Sequence, residues 1–149
     1  MIPVDPDSLV VDGDRMAARA VEDGRDLSGP LKDAEEELPT VVFSRAKGPN
    51  IGDNFDYAVQ NGAPTTLNRV TDRSIKRANR ADALNEHPPP PPGMSLDEYP
   101  FASTEQGGAG AFVRPVPEAE QHYQGGTLSS FYREHNIGTG DPFKVKFDP

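Results

Sequence analysis

Asp97 and Glu98 stand side by side in Ser95-Leu96-Asp97-Glu98-Tyr99-Pro100-Phe101-Ala102-Ser103-Thr104, pressed against an aromatic, a proline and a small-residue turn. Pro100 disfavours helix at Tyr99 and pushes the acid pair into extended or turn geometry. On an extended segment successive side chains point to opposite faces. One carboxylate can then face a site while the other is hydrogen-bonded in the wall behind it, an arrangement that suits a general base held by its neighbours. Some two dozen residues on come Glu120, Gln121 and Gln124, three further oxygen donors on a segment that reads as a helix. Oxygen donors of this kind suit Mg²⁺ or Mn²⁺, which keep several waters and bind phosphate directly. Such an ion stabilises charge on a scissile phosphate and its leaving oxygen. Asp97 is the expected base and, with Glu120 and Gln121, an expected metal ligand, and His122 on the helix side is the runner-up base.

Cationic partners for a phosphate are also present. Arg69, Arg73, Lys76, Arg77 and Arg80 form the one dense basic cluster of the chain, and Arg114 lies between the acids and the amides. Arginine matches phosphate oxygens two at a time. Either Arg114 or the cluster could neutralise a phosphate in its transition state.

The elements that must carry these residues are legible in outline. Leu38 to Phe43 reads as a β-branched, aromatic strand. Asn50 is placed to cap a helix from Ile51 to Asn61, with Ile51, Phe55, Ala58 and Val59 on one apolar stripe. Thr65 to Val70 is a second strand, and Thr71 is placed to cap a helix from Asp72 to Leu84. Pro88 to Pro92, followed by Gly93, is a stiff polyproline spacer. The acid-bearing strand and Ala111–Val116 flank a glycine-rich turn and form a hairpin. Pro117 opens a helix whose early Glu118 and Glu120 favour its positive end. Gly125-Gly126 is expected to interrupt it before Leu128, Phe131, Tyr132 and His135 resume the stripe. Phe143 to Phe147 alternates as a closing strand with Lys144 and Lys146 outward.

Composition sets the bounds. The 149 residues suffice for one domain plus a tail, and the net charge is −9. Residues 1–38 hold eleven acids against four bases, −7 of that charge, and read as an acidic linker in which Asp14 to Val21 could form a short helix. Residues 39–149 are nearly neutral and carry the domain, with the 88–93 loop inside it. The absence of cysteine rules out disulfides and thiolate metal sites. No run of 18 apolar residues spans a membrane, and the N-terminus lacks the basic-then-apolar order of a secretory signal.

Several blocks resemble the NucA/NucB family of bacterial deoxyribonucleases. Asp97-Glu98-Tyr99-Pro100-Phe101-Ala102 is similar to the family's acid-acid-aromatic-proline block, Gly107-Gly108-Ala109-Gly110 to its glycine-rich turn, and Glu120-Gln121 with Gly125 to its acid-amide pair. Phe43-Ser44-Arg45, Pro49, the Ile51–Gly62 segment and Thr71 to Arg80 also fit, so the likeness covers roughly residues 40–147. It implies an α+β fold, a small ββα-metal (His-Me finger-like) nuclease core with a short antiparallel sheet and flanking helices. It implies a nonspecific, metal-dependent endonuclease acting on DNA. Asp97 would be the base in place of a histidine, Glu98 its acidic neighbour and Gln121 the metal-binding amide. Two positions depart from the family pattern. Gln121 stands where Asn is frequent, one methylene shorter, and Leu96 stands where many members carry Cys.

Domains of this kind often end bacterial polymorphic toxins. The acidic leader without a signal fits a module secreted or delivered into a target cell within a larger toxin and neutralised by an immunity protein. The competing class is a non-catalytic acidic inhibitor that mimics nucleic acid. It would bind a basic partner tightly and cleave nothing.

Overall fold

Alternation along Pro142–Phe147 (β5) buries Phe143, Val145 and Phe147 and turns Lys146 out to solvent, so this strand forms the centre of a sheet with one apolar face. In the computed structural model, which describes residues 37–149, Thr40–Phe43 (β1) runs parallel to β5 with Val41 opposite Val145 and Phe43 opposite Phe147. Thr66–Asn68 (β2) pairs antiparallel on the other side, giving a three-stranded mixed sheet in the order β1-β5-β2. Leu67 and the inward residues of β1 and β5 form the sheet's share of the core. The expected acidic leader through Glu36, with its short helix at Asp14 to Val21, lies outside the described residues.

The second sheet is a hairpin. Met94–Tyr99 (β3) and Phe112–Pro117 (β4) pair antiparallel, with Asp97 opposite Arg114 and Glu98 opposite Val113. Tyr99 and Phe101 tie the hairpin to the rest of the core. Tyr99 meets Phe55 edge to face at 4.9 Å, and Phe101 meets Tyr99 at 5.2 Å. Such pairs add modestly to the burial of their rings.

Pro49–Gln60 (α1) begins differently from expectation. Asn50 lies inside the first turn, Gly48 precedes the helix, and no side chain of the segment itself caps it. The cap comes from far along the chain. Glu120 accepts hydrogen bonds from the backbone N–H of Asn50 (2.8 Å) and Ile51 (3.0 Å) and from Asn50 Nδ2 (2.6 Å). A carboxylate at a helix N-terminus satisfies donors that have no partner within the helix and complements its positive end.

Arg73–Ala83 (α2) is capped by Asp72 rather than Thr71. Asp72 Oδ1 accepts from Ser74 N and Ile75 N, while Thr71 turns away to Thr139. No residue of α2 is buried. Its attachments are polar: Asn79 Nδ2 donates to the carbonyls of Ala102 (3.0 Å) and Thr104 (3.1 Å), and Arg80 pairs with Glu98. The proline run leads from α2 back to β3, and Gly93 O accepts from Glu118 N at 3.1 Å.

Glu118–Glu134 (α3) follows β4 directly and completes a strand-strand-helix unit. The helix passes unbroken through Gly125-Gly126. Glu120, Gln124, Leu128 and Phe131 are buried at helical spacing, so one inward stripe spans the glycine pair and holds the backbone in register. Among the described residues, three helices, a mixed sheet and a hairpin make an α+β fold in which Thr40–Pro149 form one unit. Among the described residues no helix is long and apolar enough to cross a membrane.

Candidate active site

The alternation of β3 separates its two acids. Asp97 is 1% exposed and points at α1, where Asn54 Nδ2 donates to its Oδ2 at 2.9 Å. The same Nδ2 reaches the carbonyl of Phe112 at 3.1 Å, so Asn54 joins both strands of the hairpin to the helix. Burial pushes the Asp97 carboxyl up to about 7. The amides of Asn54 and Gln124 oppose that rise, and the charges of Glu98 and Glu120 add to it. Gln124 lies near enough to favour the charged form but makes no hydrogen bond to Oδ1, which has no partner.

Glu98 points the other way, into an open cleft of about 380 Å³. Its wall is shared by Lys76, Arg77 and Arg80 of α2, Gln121, Gln124 and Leu128 of α3, and Phe101, Ala102 and Ser103 after β3. Burial raises the Glu98 carboxyl, and the Arg80 guanidinium beside it pulls it back down. Arg80 occupies Oε2, while Oε1 is buried and has no donor. Gln121 presents a matching atom. Its Nε2 donates to Leu96 O at 3.0 Å, which fixes the amide and leaves Oε1 buried and without a donor. Two acceptor oxygens lacking donors on the walls of one cleft constitute a polar deficit that a cation or ordered water would fill. A carboxylate oxygen and an amide oxygen are also the donor set that Mg²⁺ or Mn²⁺ prefers, so these residues fit such an ion. Among the described residues no three His, Cys, Asp or Glu side chains cluster as a metal centre, so the remaining ligands would be waters and phosphate.

The other expected site residues divide. Lys76, Arg77 and Arg80 converge on the cleft. Arg73 is exposed at the start of α2 and does not line it. Arg69 belongs elsewhere: its guanidinium stacks on Tyr132 at 4.2 Å and donates to Ile137 O, bracing the end of α3. Arg114 leans over Tyr57 of α1, on the side of the hairpin away from the cleft. His122 is exposed on α3 and lines no part of the cleft. Glu120, expected among the metal ligands, spends both oxygens on the start of α1. Asn54, Asn79 and Ser103 are the residues the sequence reading did not single out. For Asn54 a signal existed, since it is a polar side chain within the apolar stripe of α1.

A hairpin running straight into a helix, with an acid from the hairpin and an amide from the helix facing cationic side chains across a cleft, is compatible with a small nuclease fold. The profile of the deoxyribonuclease NucA/NucB family matches residues 55–146, more than half of the chain and all of this framework. The chain belongs to that family. No match was found among curated proteins.

Proposed function

We propose that this protein is a divalent-cation-dependent endonuclease that hydrolyses DNA phosphodiester bonds. The observation that carries the reading is the pairing, in one cleft, of the donor-less oxygens Glu98 Oε1 and Gln121 Oε1 with Lys76, Arg77 and Arg80. A bound Mg²⁺ or Mn²⁺ would supply charge stabilisation at the scissile phosphate. Glu98 and Gln121 would hold it. The three cations of α2 draw the DNA backbone against the cleft and orient the phosphate. The oxygen of a water bonds to phosphorus, one P–O ester bond breaks, and the departing oxygen takes up a proton from solvent. The water's own proton passes to a carboxylate. Asp97 is assigned that role on the resemblance, in which this acid stands as the base, and the burial that raises its carboxyl to about 7 leaves it half ready at neutral pH. Gln124, beside Asp97 and on the cleft wall, is the side chain that links that carboxylate to the cleft.

A second reading follows from the 1% exposure of Asp97. In it Glu98 takes the proton, and Asp97 only holds the hairpin to α1 through Asn54. The two readings differ in the pH profile of Asp97→Asn. Under the first, turnover falls by about 10² or more and the limb near pH 7 disappears. Under the second, the variant keeps most of its turnover and its profile.

Supercoiled plasmid tests the activity itself. With Mg²⁺ or Mn²⁺ the protein is expected to nick and linearise it, and EDTA or Glu98→Gln is expected to stop this. Cutting that survives both, or none by a folded protein in either ion, overturns the proposal. The proposal extends to delivery. We infer a toxin module carried into a target cell and restrained by an immunity protein whose acidic surface would cover Lys76, Arg77 and Arg80; the resemblance and the acidic leader support this. Expression alone in a bacterial host is expected to degrade chromosomal DNA unless Glu98 is replaced. Healthy cells with intact DNA would count against it.

A further inference from the structure

The cleft contains a contact that its own chemistry must undo. Arg80 is 45% exposed and extends from a helix with no buried residue to ion-pair with Glu98, whose side chain is 5% exposed. The same guanidinium is one of the three cations placed to receive phosphate, and the same carboxylate keeps its second oxygen, Oε1, buried in the cleft wall without a donor. While the pair is closed, Arg80 is committed to Glu98, and Glu98 shares its negative charge with a cation. A second, divalent positive charge on Oε1 would stand next to the guanidinium and repel it, most strongly at a carboxylate so little exposed to solvent.

We propose that the Arg80–Glu98 pair is a latch, and that divalent cation and DNA phosphate release it together. The inference rests on the nuclease reading above. A cation at Glu98 frees Arg80 for phosphate, and phosphate drawing Arg80 away leaves Glu98 with its full charge for the cation. Each therefore strengthens the other's binding by the same factor, as linkage between two sites requires. The attachment of α2 suits this work. Asn79 anchors the helix through two hydrogen bonds to the carbonyls of Ala102 and Thr104, so the backbone can stay in place while the Arg80 side chain swings. Asn79 is thus a positioning residue: it keeps Lys76, Arg77 and Arg80 over the cleft in both states.

The test reads cation binding, without turnover. Free Mn²⁺ is followed by its electron paramagnetic resonance signal while it is titrated with the unaltered protein, the Arg80→Gln variant and the Glu98→Gln variant. The latch predicts that Arg80→Gln binds Mn²⁺ at least about fivefold more tightly than the unaltered protein, the lower end of ordinary coupling between sites. Unchanged or weaker binding in Arg80→Gln, with Glu98→Gln binding poorly, overturns the latch and leaves the cation site standing. Equal binding by Glu98→Gln and the unaltered protein overturns the site itself, and the latch with it. A second titration adds inorganic phosphate. Phosphate is expected to tighten Mn²⁺ binding to the unaltered protein and to have a clearly smaller effect on Arg80→Gln. An equal effect on both contradicts the latch. Arg80 is exposed, so its replacement is not expected to unfold the protein, and circular dichroism of each variant checks this.

Discussion

Asp97 and Glu98 are neighbours in the chain and occupy opposite environments. Glu98 has an arginine and an open cleft, while Asp97 has an asparagine and almost no solvent. The consequence for Asp97 is thermodynamic as well as chemical. Its carboxyl rises from an ordinary 3.8 to about 7 on folding, so between those values the folded state binds more protons than the unfolded one. Stability is then fully present below about pH 4 and declines as pH rises through about 7. A shift of this size corresponds to as much as about 4 kcal/mol. Denaturant midpoints measured from pH 4 to pH 8 in EDTA are expected to fall for the unaltered protein and to fall clearly less for Asp97→Asn, in which the raised Glu98 carboxyl still contributes. A fall of the same size in the variant would assign the dependence to another group. The acid pair and its alternation were legible in the sequence. Which acid faced the cleft was not, because that depends on Asn54 and Arg80, 43 and 18 residues away.

Long-range partners also decide how the elements begin and how far they run. The stripe of α1 was readable, but its cap is Glu120, some 70 residues downstream, and no local pattern points there. Replacing Glu120 by Gln removes a charged acceptor from two backbone donors and is expected to cost about 1–2 kcal/mol in a thermal or denaturant melt. A neutral result would show that α1 is held by its apolar face alone. In α3 the glycine pair suggested a break because Glu120 and Gln124, which continue the buried stripe through it, are polar and were read as ligands. Space around both glycines is open. Gly125→Ala and Gly126→Ala are therefore each expected to stabilise the protein by about 0.5–1 kcal/mol, the usual gain in a helix interior. A loss at either position would mean the helix does not pass through as described.

Taken whole, the molecule is acidic yet presents a cationic cleft. The five basic residues between 69 and 80 formed one cluster in sequence, but the fold sends Arg69 to Tyr132 and brings Lys76, Arg77 and Arg80 to Glu98. Three phosphate contacts would give log K for DNA a slope near about −3 against log[salt]. Lys76→Ala is expected to shallow the slope by about 1 and weaken all sequences alike, as fluorescence anisotropy on two unrelated duplexes would show. An unchanged slope would remove Lys76 from the interface. The strand-strand-helix order was legible because alternation, a glycine-rich turn and a proline at the helix start are local signals. The cleft was less so, since its walls come from three separate segments.

Under the proposed mechanism, Glu98 and Gln121 together offer a seat for a divalent ion facing α2. Anomalous diffraction from crystals soaked in Mn²⁺ tests it most directly. One strong peak bonded to Glu98 Oε1 and Gln121 Oε1 is expected, and no such peak in Glu98→Gln. A peak at another cluster, with these two oxygens left unligated, would contradict it.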